Sequence, residues 1–235
     1  MLDNINLERI LFLDIETVSA CKTFGDLDDT FRKLWTHKAE RIKQNDSDTP
    51  ESLYERAGIY AEFGKVVCIS TGFFNNEQFR IKSFANHDEK ILLLDFVEML
   101  NKLNKPGQVL CAHNGKEFDF PYLCRRMIVN EIKIPALLNM SGRKPWETTY
   151  LDTMELWKFG DYKNFTSLDL LSALLGIPSP KDDIDGSEVS KVYWQDNNLQ
   201  RIVTYCQKDV LTIAQLLLRF QGKPLLKKNQ IVTIE

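Results

Sequence analysis

Long apolar runs, a surplus of charge, paired cysteines and clustered histidines are all missing from this sequence. No stretch reaches the roughly 18 consecutive apolar residues that a membrane span needs, so no part is expected to cross a bilayer. The opening MLDNINLERI is polar and charged and has no apolar signal core, so export is not expected and the cytoplasm is the expected location. Lys+Arg 30 against Asp+Glu 33 leaves a net charge of −3. That excludes binding of nucleic acid by bulk positive charge, but not an enzyme whose grip on phosphate comes through bound cations. The five cysteines (Cys21, Cys68, Cys111, Cys124 and Cys206) form no C-x-x-C pair, and each sits beside apolar residues. Reduced, partly buried thiols are expected. Three scattered histidines (His37, His87, His113) give zinc little support, and His113 reads as a satisfied turn residue. Internal repeats and low-complexity blocks are absent as well.

What is present is an ordinary globular composition, 43% hydrophobic and 27% charged over 235 residues. That length suits one large domain, taken as 1–235, and is enough to bury a core without disulfides. Arg9–Asp14 (RILFLD) reads as a strand buried on both faces and ending in acid. An excursion at about 27–62 reads as two helices, the second opening after Thr49 with Pro50 in its first turn. Gly64–Phe74 and Gln78–Phe84 form a hairpin around Asn75–Glu77. An amphipathic helix follows at Asp88–Leu103, with Ile91, Leu92, Phe96, Leu100 and Leu103 on one side. Val109–Ala112 reads as a strand, Asp119–Val129 as a helix and Thr149–Leu151 as a strand. Helices are expected at Ser167–Leu175 and Leu199–Phe220, and the tail after Gly222 stays unassigned. The order predicts an α/β fold, a central mixed β-sheet flanked by helices.

Three groups of acids carry the chemistry. Asp14 and Glu16 (LFLDIET) are two apart on a strand and so point to one face. Taken alone they read equally as solvated acids at a strand end, since D-x-E recurs roughly once by chance in a chain this long. Asp119 follows the strand VLCA in HNGKEFDFPYL, where a helix N-terminal acid favoured by the helix dipole is the alternative. Tyr205 and Asp209 (YCQKD) lie one turn apart on a helix, a spacing shared by any amphipathic pair. Their joint order along the chain is far rarer than any one of them. Four carboxylates meeting at strand and helix ends suit two hard divalent cations, Mg²⁺ or Mn²⁺ rather than zinc. Two such ions about 3.5–4 Å apart serve in-line phosphoryl displacement.

LDIET, HNGKEFDFPYL and YCQKD resemble the three motifs of the DEDD 3′–5′ exonucleases, in the branch with tyrosine in the last motif. The position before it, histidine in the other branch, is Thr204. The whole chain is similar to bacterial predicted exonucleases related to the proofreading domain of family-B DNA polymerases, with no polymerase portion recognised in it. The resemblance implies a ribonuclease-H-like fold and Asp14, Glu16, Asp119 and Asp209 as ligands of two cations. It implies Tyr205 as positioner of the attacking water, and Thr17, Asn114 and Phe118 as contacts to the terminal nucleotides. The implied activity is metal-dependent release of nucleoside monophosphates from 3′ ends of single-stranded DNA, in preference to RNA. An exoribonuclease and a catalytically silent nucleic-acid-binding fold are the alternatives. Lys181, Arg125, Arg126 and the basic residues of 32–43 are candidates for holding phosphate. Trp35, Tyr54 and Tyr60 are expected to form the small core of the excursion. No polymerase or repair partner is supported.

Overall fold

The computed structural model describes residues 2, 5–103, 106–144, 147–161, 163, 165–178 and 183–234. Three strands, β1 (Ile10–Ser19), β2 (Gly64–Asn75) and β3 (Gln78–Ala85), form an antiparallel meander. On the other side of β1 lie two parallel strands, β4 (Val109–Ala112) and β5 (Leu151–Asp152). A sixth, β6 (Ile231–Ile234), pairs parallel with β3, so the order is β5-β4-β1-β2-β3-β6. The hairpin closes where expected, with Asn76 at φ 56, a left-handed turn position that asparagine tolerates.

Why β1 reads as a continuous apolar run is visible in its two faces. Leu11, Leu13 and Ile15 pack into α3 (Glu89–Leu103) and α4 (Asp119–Val129), against Leu93, Phe96, Phe120 and Leu123. Ile10 and Phe12 face the other way, into Val210, Ile213, Ala214 and Leu217 of α8 (Leu199–Phe220). A strand sandwiched between helix layers has no solvent face, so alternation is lost from its sequence. The result is the ribonuclease-H-like arrangement implied by the motifs, a mixed sheet with helices on both faces. Among the described residues no helix is long and apolar enough to cross a membrane.

The excursion consists of α1 (Asp29–Ile42) and α2 (Pro50–Tyr54), the latter capped by the Thr49 side chain as its sequence predicts. Trp35 and Tyr54 are buried there with rings 5.3 Å apart, and Tyr60 packs on Trp35. These aromatics form a core rather than a stacking surface. Gly58 joins this unit to the sheet: a Cβ there would sit 2.9 Å from the Val18 carbonyl carbon, so only glycine allows the approach.

Several expectations need correction. The first strand does not stop at Asp14 but continues to Ser19, so Asp14 and Glu16 lie mid-strand. Its pairing with β2 shifts register between Glu16 and Thr17, where Val67 is the extra residue of a bulge. In α3 the buried stripe runs through Leu92, Leu93, Phe96 and Leu100, and Ile91 is 47% exposed because it is one residue off that stripe. The strand expected at Thr149–Leu151 is Leu151–Asp152, giving way at once to α5 (Thr153–Lys158). The helix expected at Ser167–Leu175 is α6 (Leu168–Leu174), with Ser167 as its cap. A short α7 (Val189–Trp194) and the edge strand β6 were not anticipated.

Candidate active site

Asp14 and Glu16 continue the alternation that turns Ile10 and Phe12 toward α8. Two residues on, Val18 returns to apolar packing with Val67, Ile202 and Val203. On α8, Tyr205, Cys206 and Asp209 fall between Ile202 and Val203 on one side and Val210 and Ile213 on the other. The β1–α8 interface is therefore apolar at both ends and acidic in the middle. Glu16, Asp209 and Tyr205 are each buried, and Asp14 is half-buried.

Asp119 arrives from the neighbouring strand. β4 ends at Ala112 beside β1, and the chain turns through Asn114, whose φ of 60 is the left-handed value that lets it reverse. The Asn114 carbonyl accepts the N–H groups of Glu117 (3.2 Å) and Phe118 (3.0 Å). The turn is pinned from outside by Asp152, whose carboxylate accepts the backbone N–H of Asn114 at 2.9 Å and of Lys116 at 3.0 Å. This places Asp119 as the first residue of α4, buried, with the Ile15 backbone N–H bonded to its carboxylate.

The four acids act on one another electrostatically. Burial, and then Asp209, Glu16 and Asp119, push the Asp14 carboxyl well above the usual carboxylate range. Glu16 is pushed up by burial, Asp209, Cys68 and Asp119. Asp119 rises to about 7, chiefly through burial, with Asp152 and Asp209 adding to it. Burial and then Asp209, Glu16 and Asp14 hold the proton on the Tyr205 phenol, which hydrogen-bonds to Asp209. No ion pair reaches Asp14, Glu16 or Asp119 among the described residues. Like charges so placed stay apart from their protons at neutral pH only if a cation joins them.

The donor set fits a hard divalent cation. Ligand atoms of Asp14, Glu16 and Cys206 lie within 4.8 Å of one another. The thiol, however, is a donor here: Cys206 Sγ hydrogen-bonds to Asp14 Oδ2 at 3.3 Å and to the Asp14 carbonyl at 3.4 Å, and burial pushes its pKa up. A protonated thiol is no ligand, which leaves carboxylate oxygens, the preference of Mg²⁺ and Mn²⁺.

Thus Asp14, Glu16, Asp119, Asp209 and Tyr205 come together, as their motifs predict. Thr17 follows Glu16 in β1, so its side chain turns to the other face of the strand. Its side chain bonds to the Tyr122 phenol, which donates to the Gly58 carbonyl at 2.8 Å. Asn114 and Phe118 bracket the turn before Asp119, and Phe118 packs on Tyr122 with rings 5.4 Å apart. His113 is satisfied by Thr153 Oγ1 (2.9 Å) and the Thr166 carbonyl (3.0 Å). Arg126 is a correction: it is spent on Glu89 and is not available for phosphate. Lys181 lies outside the described residues. Sequence reasoning missed Asp152 and Cys206. For Asp152 a signal existed, since D-T-M-E is a helix-capping pattern and its side chain does cap α5.

A family model described as a predicted 3′–5′ exonuclease related to the exonuclease domain of PolB matches residues 59–226. That span contains Asp119, Tyr205 and Asp209 but not the β1 acids. A DNA polymerase of Pyrococcus horikoshii is 21% identical over 188 residues, which are 71% of this chain and 15% of the polymerase. The family B DNA polymerase from the archaeon Pyrobaculum calidifontis superposes with a TM-score of 0.54 at 16% identity, over 90% of this chain and 24% of that one. The chain thus spans a small part of the polymerases it matches, and the structural likeness is one of fold. By the family model, the chain belongs to the predicted 3′–5′ exonucleases related to the exonuclease domain of PolB.

Proposed function

We propose that the chain hydrolyses the 3′-terminal phosphodiester of single-stranded DNA, releasing nucleoside monophosphates, with two divalent cations held by Asp14, Glu16, Asp119 and Asp209. The observation that carries this reading is the acidic break in the apolar β1–α8 interface, to which three distant segments each bring a buried carboxylate. Buried carboxylates that raise one another's pKa concentrate at functional sites. Bound Mg²⁺ or Mn²⁺ would supply charge neutralisation at the scissile phosphate and a lowered pKa for the attacking water.

The protein's own part is positioning. Two acids on a strand locked between helix layers cannot move relative to one another, and the Ile15 N–H fixes Asp119 against that same strand. A phenol ordinarily titrates at about 10, so at neutral pH Tyr205 orients a water by hydrogen bonding and does not act as base. The Asp14–Cys206 hydrogen bond requires a reduced thiol, in keeping with work in the cytoplasm.

The test is incubation of 5′-labelled DNA and RNA single strands of matched sequence with Mg²⁺ or Mn²⁺. A ladder shortening from the 3′ end, stronger on DNA and abolished by chelator, is expected. Degradation of RNA alone would replace the substrate assignment, and intact strands under every condition would end the nuclease reading.

A further inference from the structure

We propose that the groove on the outer side of α4 carries the nucleic-acid strand upstream of its 3′ end, so that several nucleotides are gripped, not the terminal one alone. The proposal rests on the nuclease reading above and adds a path for the strand. The groove encloses about 880 Å³ between α4, the segment 132–143 and the start of α5. It opens beside the acids rather than over them. Asn114 and Asp152, which shape the turn before Asp119, line its inner end, so the groove and the acid cluster share a wall.

Its floor is preformed. The Leu138 carbonyl accepts the Tyr150 hydroxyl at 2.7 Å and the Cys124 thiol at 3.4 Å, tying the 132–143 segment to α4 and to the approach of β5. Phe120 and Tyr150 pack beneath with centroids 4.1 Å apart. A floor already ordered spares a ligand that ordering cost. Apolar surface stays open above it: Ile128 is 65% exposed, and Ile134 and Met140 are half-buried.

Charge selects the occupant. Lys116, Arg125, Arg143 and Lys158 line the groove. Lys116 is paired with Glu155, and Lys158 lies 4.3 Å over the Phe165 ring. Arg125 and Arg143 are exposed and form no ion pair among the described residues. Of the acids in the lining, Asp152 is taken up by backbone N–H groups and Glu155 by Lys116, with Glu117 exposed to solvent. Open apolar surface between two uncommitted guanidiniums complements an unpaired strand, whose bases seek the former and phosphates the latter. A duplex would hide its bases and match only the charges.

Binding of 5′-fluorescein oligothymidylates of 2 and 12 nucleotides, followed by anisotropy in chelator, tests this together with Mn²⁺-dependent hydrolysis of both. Arg125→Glu/Arg143→Glu should weaken the 12-mer roughly tenfold or more and flatten its salt dependence by about 1.4 in log–log slope, two phosphate contacts' worth. The dinucleotide, which extends no further than the groove's inner end at Asn114, should be hydrolysed at the wild-type rate. Ile128→Glu, at an exposed position whose change does not threaten the fold, should give the same length-dependent loss. Unchanged 12-mer affinity in both variants, or an equal loss for both lengths, would overturn the groove. A wild-type protein that shows the length-dependent grip yet hydrolyses neither oligomer would overturn the nuclease reading and leave the groove standing.

Discussion

Two clusters of buried charge flank the same sheet, and they are built on opposite terms. In the α3–α4 layer, Glu89 accepts the Val66 N–H at 2.7 Å, Arg126 Nε at 2.9 Å and Nη2 at 2.6 Å, and Asn130 Nδ2 at 2.9 Å. Arg126 also donates from Nη1 to the Ala61 carbonyl at 2.8 Å, binding the excursion's end to the same knot. Every need of that carboxylate is met from within the chain. Toward α8, Asp14, Glu16 and Asp119 have each other, backbone N–H groups and a thiol, and their pKa values rise accordingly. A buried acid supplied with its own cation is architecture. Buried acids left to repel one another are waiting for a cation from solution.

The widest separation between the clusters should come from truncating each. Asp14→Ala and Asp209→Ala should each slow exonuclease turnover by on the order of 10³-fold, about 4 kcal/mol of transition-state stabilisation, measured on labelled single strands. Glu89→Ala should act on stability instead, costing about 3–5 kcal/mol in urea unfolding because Arg126 is left buried without its counter-charge. Asp14→Asn should shift stability the other way, raising that of the metal-free protein by roughly 1–2 kcal/mol as repulsion is relieved, while turnover is lost. A destabilised Asp14→Asn protein would mean that the two clusters do not differ in kind.

A smaller effect follows from pH. Asp119 holds its proton up to about 7 when folded against an ordinary 3.8, and Asp14 and Glu16 shift in the same direction. The folded metal-free protein therefore binds more protons than the unfolded chain across this window. Its stability is full below the ordinary carboxylate range and falls as pH rises through the folded values. In chelator the melting temperature should drop between pH 5 and pH 7.5, and Mg²⁺ or Mn²⁺ should restore more at pH 7.5 than at pH 5. Equal melting temperatures at both pH values, with no gain from cation, would contradict the raised carboxyls.

Much of this contrast was legible in the residues, and what was not has physical reasons. The acids announced themselves because chemistry demands oxygen at fixed spacings, whereas the Glu89–Arg126 knot left no pattern: its partners are 37 positions apart, and any charged residue on an amphipathic helix looks solvated. The sequence alone predicts too short a strand β1, because Asp14 looks like a strand terminus when burial is unknown. The opposite helix α8, which sets Tyr205 and Asp209 between apolar turns facing Asp14 and Glu16, is what buries these acids in mid-strand, and it lies about 190 positions away. Strand β6 escaped because IVTI is four residues long and gains its place from pairing with β3, a contact no local window contains. Thr17 was read from its motif, but alternation along β1 commits its hydroxyl to Tyr122 on the far face.

The finest division lies inside the acid cluster, between groups that hold charge and the one that holds a proton. Tyr205→Phe removes the hydroxyl and keeps the ring, so the packing of α8 against Val18 and Val67 survives. Cation affinity, measured by the melting-temperature rise with Mn²⁺, should change less than about twofold, because four carboxylates remain. Turnover should fall by roughly 10–100-fold, the loss of one positioning hydrogen bond. The pH–rate profile should keep its shape, since an ordinary phenol, with a pKa of about 10, does not titrate in the neutral working range. A profile that loses its alkaline-rising limb in the variant would instead make Tyr205 the base, and the positioning role would have to pass to another group.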